Sequence, residues 1–97
     1  MKVNTHYQIL ARHAVSYCGL ALQYQLLFYP AENQYSISVQ SGNDFAEVFV
    51  GANARFAKRC YQLVKKGGVT PCTLADIIAD LQKEEEFLNK PIYKSAR

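Results

Sequence analysis

A change in hydrophobic period halfway along the chain constrains the fold more than any other feature of the sequence. In "LQYQLLFY", residues 22–29, apolar residues occupy every second position, and "YSISVQ", residues 35–40, repeats the alternation. A period of two is that of a half-buried β-strand. From residue 53 onward the apolar residues recur with the period of about 3.6 that belongs to helices. The sequence therefore predicts a sheet followed by helices.

Short polar connections separate the predicted strands. Residues 30–34 join the first two, and "SGND", residues 41–44, leads into "FAEVFVG". Strands that are joined by such short loops run antiparallel.

The segment before residue 18 fits two structures. As a strand it places Tyr7, Ile9, Ala11, Val15 and Tyr17 on one side and Gln8, Arg12 and Ser16 on the other, with Gly19 supplying a turn. As a helix it places Tyr7, Leu10, Ala14 and Cys18 on one side. The strand is the favoured interpretation, and it makes a fourth member of the sheet.

The pattern of residues 53–66 predicts an amphipathic helix. Asn53 is a good N-cap, and Gly67 and Gly68 stop the helix. One side is apolar, with Phe56, Ala57, Cys60, Tyr61, Leu63 and Val64. The other side is polar and basic.

A second helix follows at once. Either Thr70 caps it with Pro71 at the first helical position, or Thr73 caps it with Asp76 three residues on. Its buried stripe is predicted to comprise Leu74, Ile77, Ile78, Leu81 and Leu88. Asn89 and Pro91 end it.

Burial of apolar surface determines how these elements assemble. We predict an α+β fold in which an antiparallel sheet of three to four strands, a β-meander, carries two C-terminal helices packed on one face. Residues 1–89 form a single domain, and residues 90–97 form a flexible tail. The uncovered face is expected to be solvated and to present Gln8, Gln23, Gln25, Ser36, Ser38, Gln40 and Glu47.

Charge is segregated between the two helices. The net charge is +3, yet residues 53–66 carry five cations and no acid, and residues 71–89 carry five acids and one lysine. The basic face is a candidate surface for an anion, a nucleic acid or a protein partner, and it comprises Arg55, Lys58, Arg59, Lys65 and Lys66. The alternative is an ordinary solvated helix face, partly neutralised by the acidic helix.

A second candidate surface lies on "DFAEVFV". Ala46, Val48 and Val50 share one face of this strand, and Phe45 and Phe49 share the other. If the first set faces the helices, the phenylalanines stand on the open face with Leu27 and Tyr29, where they would mark a partner or homodimer contact. Alternatively, the phenylalanines face inward, or a bulge near Glu47 turns the strand.

The sequence contains no pattern typical of an enzyme. Cys72 lies in the first turn of a helix, but nothing local places His6 or His13 beside it as a base, and Cys60 is predicted to be a core residue. The spacings of the cysteines and histidines match no metal-ligand motif, and no glycine-rich phosphate loop precedes a helix. We therefore expect a protein that is not an enzyme, with no catalytic residues, no metal and no cofactor.

The "YQLL" and "YSI" strands, the acidic turn, the helix and then "GVTPCTLADIIADL", residues 68–81, resemble a family of small clostridial-type bacterial proteins of unknown function. The resemblance covers roughly residues 20–85, and the strongly basic first helix is not typical of it. It implies the fold and a bacterial setting, and nothing about chemistry.

The expected function is non-catalytic binding of another protein, as an adaptor, regulator or inhibitor of bacterial or mobile-element origin. Inhibitors of nucleases or CRISPR effectors are examples of such domains. A nucleic-acid-binding module is the alternative. The start of the chain lacks the layout of a signal peptide and no run is long enough to span a membrane, so a cytoplasmic protein without membrane contact is expected.

Overall fold

Four antiparallel strands and two helices make up the fold of the part of this chain that the structure describes. The computed structural model describes residues 6–89, with only the backbone of Tyr17 and of residues 86–89, and statements about residues 6–89 below exclude those side chains. In chain order the elements are β1 (Gln8–Tyr17), β2 (Leu20–Tyr29), β3 (Gln34–Ser41), β4 (Asp44–Gly51), α1 (Ala54–Gly67) and α2 (Pro71–Asn89). The sheet order is β1-β2-β3-β4, and both helices pack on one face. The α+β prediction is confirmed, and the segment before residue 18 is a strand. The predictions for the Leu88 side chain and for the tail, residues 90–97, fall outside this description.

Tight turns connect the strands. Cys18 and Gly19 have φ angles of 52° and 78°, the pattern of a type I′ hairpin turn. Gly42, at φ 60°, begins the two-residue turn between β3 and β4. The longer connection between β2 and β3 closes through a 3.2 Å hydrogen bond from the Asn33 amide to the Pro30 carbonyl. These short connections hold each strand beside its neighbour in the sequence.

The core lies between the sheet and the helices. Alternate residues of β2 and β3 point into it, and α1 lies over these two strands while α2 lies mainly over β4. Its fully buried members include Leu22, Tyr24, Ile37, Val39, Cys60, Val64, Leu74 and Ile78. The Tyr24 hydroxyl donates a 3.0 Å hydrogen bond to the Val69 carbonyl, which joins the sheet to the connection between the helices.

The helix termini follow the capping rules. The Asn53 side chain accepts a 3.0 Å hydrogen bond from the Phe56 amide, and Gly68 ends α1 in the left-handed conformation at φ 62°. α2 begins at Pro71, directly after Thr70, so the helix starts at the earlier of the two predicted positions. Caps are needed because the first four amides and the last four carbonyls of a helix have no hydrogen-bond partner inside it.

The prediction that Leu63 lies on the buried side of α1 is wrong. Leu63 is 40% exposed, whereas Phe56, Cys60 and Val64 are buried. At about 100° per residue, Leu63 falls roughly 90° from the centre of the buried arc, at its margin.

One extra residue in β1 changes which side chains face the helices. Ala11 pairs with Leu26, but Ile9 pairs with Leu27, so Leu10 is an extra residue opposite a continuous β2. This irregularity is a β-bulge, and a bulge shifts the strict alternation of faces.

The bulge makes two predictions for β1 wrong. Tyr7 and Ile9 were expected on the same side as Ala11, yet Ile9 lies on the sheet face opposite the helices, where the Tyr7 ring contacts Tyr29. Gln8 was expected on that uncovered face but pairs with Phe28, which belongs to the helix side. Apolar side chains therefore replace a glutamine on the uncovered face.

Candidate interface on the open face of the sheet

The sheet face opposite α1 and α2, here called the open face, carries three rows of cross-strand neighbours. Each row takes one residue from β1, β2, β3 and β4 in turn. The first row is Ile9, Leu27, Ser36 and Phe49; the second is Arg12, Gln25, Ser38 and Glu47; the third is Ala14, Gln23, Gln40 and Phe45. Both helices pack on the opposite face, and Phe45, on the edge strand β4, lines a shallow cleft with Pro71 and Cys72 at the start of α2.

Three aromatic rings form a continuous group beside the first row. The Tyr29 ring lies between Tyr7, at a centroid distance of 5.5 Å, and Phe49, at 5.0 Å, with tilted planes in both pairs. Tyr29 is 7% exposed, whereas Tyr7 is 50% and Phe49 is 45% exposed. We call Tyr7, Tyr29 and Phe49 the aromatic cluster.

A small residue on β3 explains why the Tyr29 and Phe49 rings meet. Tyr29 and Phe49 belong to β2 and β4, which stand two strand spacings apart, or about 9.6 Å. The small Ser36 side chain between them lets both rings lean over β3 until they touch. Ser36 is consequently 0% exposed. Ser38, which lies between Gln25 and Glu47 in the second row, is 3% exposed, so the prediction that both serines are solvated is wrong.

A carboxylate lies within this apolar surrounding. One oxygen of Glu47, Oε2, accepts hydrogen bonds of 2.6 Å from both the Tyr29 hydroxyl and the Ser36 hydroxyl. Burial raises the pKa of Tyr29 to about 12, and the bond to Glu47 adds to the rise because the phenolate could no longer donate it. The two hydroxyls thus hold the Glu47 carboxylate in one position on the open face.

The four residues predicted as an interface, Phe45, Phe49, Leu27 and Tyr29, all lie on the open face. Leu27 and Tyr29 are buried there, whereas Phe45 is 59% exposed. The irregularity of β4 falls at Val50, beyond Phe49, so Glu47 keeps a regular partner in Ser38.

Sequence reasoning missed two members of this surface, Tyr7 and Ile9, and the alignment of a third, Arg12, with Glu47. Tyr7 and Ile9 were assigned to the wrong side because a bulge has no distinctive residue pattern here. Arg12, exposed on the open face, has no ion pair among residues 6–89. Its alternation with Ala11 and Val15 did predict its side, but nothing in the sequence showed that Glu47 would share its row.

The basic face of α1 is less uniform than its sequence. Arg59 lies 3.6 Å from Glu84 and 3.4 Å from Glu85 of α2, and the Lys65 ammonium lies 5.3 Å from the centre of the Tyr61 ring. The other cations of the predicted set, Arg55, Lys58 and Lys66, are exposed and have no ion pair within the described chain. Part of the positive charge of α1 therefore pairs with carboxylates of α2.

The cysteines are separate from one another. Cys60 is buried, and burial raises the pKa of its thiol to about 11, which keeps it protonated at neutral pH. Cys18 and Cys72 are exposed, and the Cys72 sulfur lies 3.6 Å from the Thr70 hydroxyl.

Among residues 6–89, no three histidine, cysteine or acidic residues come together as a metal site. No helix in that range is long and apolar enough to cross a membrane.

These features define a small α+β domain with helices on one sheet face and an aromatic cluster on the other. Comparison of the chain with protein-family models, curated proteins and solved structures found no match.

Proposed function

We propose that this chain is a non-catalytic protein-binding domain, an adaptor, regulator or inhibitor that contacts its partner through the open face. The observation that supports this proposal is the aromatic cluster, in which Tyr7 and Phe49 are half-exposed beside buried Tyr29 and Leu27. Contiguous exposed apolar surface on a small domain is typical of a protein contact. A bacterial and cytoplasmic setting belongs to the same proposal.

The composition of the open face suits association better than solvation. Aromatic rings bury a large area on contact and lose little conformational entropy, which is why they are enriched at interfaces. Glu47 adds direction, because a carboxylate that is buried on association must meet a donor or a cation.

A photo-crosslinking experiment tests the proposal in cells. A photoreactive phenylalanine analogue replaces Phe45, which is exposed on the open face, and in a matched control it replaces Leu63, which is exposed on α1. We expect a protein adduct from position 45 and none from position 63. The additional change Phe49→Asp should remove the adduct, because a charge then replaces the edge of the aromatic cluster.

The mass of the adduct identifies the partner. Either a dimer of this 11.0 kDa chain or an adduct with a different protein would support binding through the open face. An adduct only from position 63, or one that is unaffected by Phe49→Asp, would contradict the proposal.

Nucleic-acid binding by α1 is the second candidate function. It is favoured by the exposure of Arg55, Lys58 and Lys66 without ion pairs within residues 6–89. Fluorescence anisotropy with labelled DNA and RNA should then show binding that weakens steeply with salt. The double reversal Arg55→Glu/Lys58→Glu should abolish it, whereas binding that is absent at physiological salt would exclude this role.

A further inference from the structure

The charges on the open face are arranged so that this surface complements itself. In the second row, Arg12 stands on β1 and Glu47 on β4, at opposite ends, with Gln25 and Ser38 between them. Three strand spacings separate the two ends, about 14 Å. Each charge therefore lies about 7 Å from the middle of the sheet, on opposite sides.

We infer that the partner of the open face is a second copy of this chain, packed face to face about a twofold axis that runs parallel to the strands. Such an axis places β1 of each copy over β4 of the other. Arg12 of each copy therefore meets Glu47 of the other, which gives two such contacts in the dimer. This inference rests on the proposed function, since it names the occupant of the same surface.

The other two rows fit the same axis. In the first row, Ile9 of each copy then faces Phe49 of the other, an apolar pair. In the third row, Ala14 faces Phe45, so the smallest side chain meets one of the largest. Large side chains that face small ones let two packed sheet faces interdigitate.

Charge also excludes the other simple orientation. A twofold axis perpendicular to the strands, within the plane between the sheets, would place Arg12 over Arg12 and Glu47 over Glu47. Like charges in contact oppose association. The arrangement with the axis along the strands is the one in which both carboxylates receive a cation.

The Glu47 carboxylate is prepared for this contact. The Tyr29 and Ser36 hydroxyls both bond its Oε2 atom, so the carboxylate keeps its position before the partner arrives. Arg12 is exposed and has no ion pair among residues 6–89, so association would break no existing pair. A positioned acceptor lowers the entropy lost on binding.

The size of the face predicts a dimer of modest affinity. Four strands at about 4.8 Å and eight residues at about 3.3 Å give an area of roughly 500 Å² per copy. The total of roughly 1,000 Å² is at the low end of specific interfaces. Dimerisation should therefore be measured over a wide concentration range, from about 1 μM to about 1 mM.

Complementary charge reversals test the inference. Arg12→Glu and Glu47→Arg each place like charges together twice in a homodimer, so each variant alone should dimerise at least about tenfold more weakly than the wild type. An equimolar mixture restores both opposite-charge contacts, and native mass spectrometry should detect a heterodimer of the two variants. Arg55→Glu, on α1, is the control and should dimerise like the wild type.

Circular dichroism establishes that each variant is folded, because Glu47→Arg also loses the hydrogen bonds to Tyr29 and Ser36. If it does not fold, Phe45→Glu replaces it, since Phe45 is 59% exposed and its substitution should weaken dimerisation without unfolding the chain. Variants that dimerise as the wild type does, or a mixture that forms no heterodimer when the wild type dimerises, would overturn the inference.

A wild type that stays monomeric at the highest concentration also overturns it. The proposed function then still stands if position 45 crosslinks to a different protein, and it fails together with the inference if position 45 crosslinks to nothing.

Discussion

Replacing Tyr24 by phenylalanine tests the hydrogen bond that joins the sheet to the connection between the helices. The Tyr24 hydroxyl donates a 3.0 Å bond to the Val69 carbonyl, and the Tyr24 side chain is 0% exposed. Val69 is 9% exposed, so water has little access to replace the lost donor. The substitution keeps the ring and removes the hydroxyl group that donates this bond.

The expected magnitude follows from the burial. A net hydrogen bond contributes about 1 kcal/mol, and leaving a buried acceptor unpaired costs about 1–3 kcal/mol. Because phenylalanine fills nearly the same space, we expect the free energy of unfolding to fall by about 2 kcal/mol. For a domain of this size, that lowers the thermal midpoint by roughly 8–16 °C.

Urea unfolding followed by circular dichroism measures the loss, and an unchanged dependence on urea shows that the folded state is the same. Tyr61→Phe is the matched control, because Tyr61 is also buried but its hydroxyl makes no hydrogen bond within residues 6–89. Its free energy of unfolding should change by less than about 0.5 kcal/mol. Equal losses in the two variants, or a loss of less than about 0.5 kcal/mol in Tyr24→Phe, would refute this reasoning.

Three further predictions concern other parts of the fold. Arg59→Glu, which faces two carboxylates of α2, should lower the free energy of unfolding by about 1 kcal/mol at low salt, while Arg55→Glu should leave it nearly unchanged. Equal effects in denaturant titrations would contradict the ion pairs. Asn53→Ala should cost about 1 kcal/mol in the same assay, because the Phe56 amide loses its cap; no loss would mean that the cap is dispensable. The pKa of Tyr29 is raised from 10.0 to about 12, so the unfolded chain releases this proton first and stability should fall as pH rises from about 10 to 12. Tyr29→Phe should flatten that fall in a pH series of urea midpoints, and a profile identical to that of the wild type would refute it.

Local patterns were enough for the elements of the fold. The alternation in β2 and β3 arises because one face of each strand packs against the helices. Asn53 and Gly68 lie at the two ends of α1, as the sequence predicted. These features depend on neighbours within a few residues, which a sequence displays directly. Leu63 was misplaced because its angle on the helix is at the margin of the buried arc, and the extent of the cover is a tertiary property.

The candidate site was predictable only in part. The alternation in β4 placed Phe45 and Phe49 together on one face, and only the structure shows that this face is the open one. The burial of Ser36 could not be predicted from the sequence, because it depends on rings from the two flanking strands that lean over it. The pairing of Arg59 with α2 likewise needed the relative position of two helices.

By itself, the sequence determined an antiparallel meander followed by two amphipathic helices, since hydrophobic period, turn residues and caps act over short distances. Only the tertiary structure decided which residues lie on the open face and how they align. The bulge at Leu10 moved Tyr7 and Ile9 onto it, and strand register aligned Arg12 with Glu47 in one row. Register and bulges follow from how whole strands pack together, and no single stretch of residues contains that information.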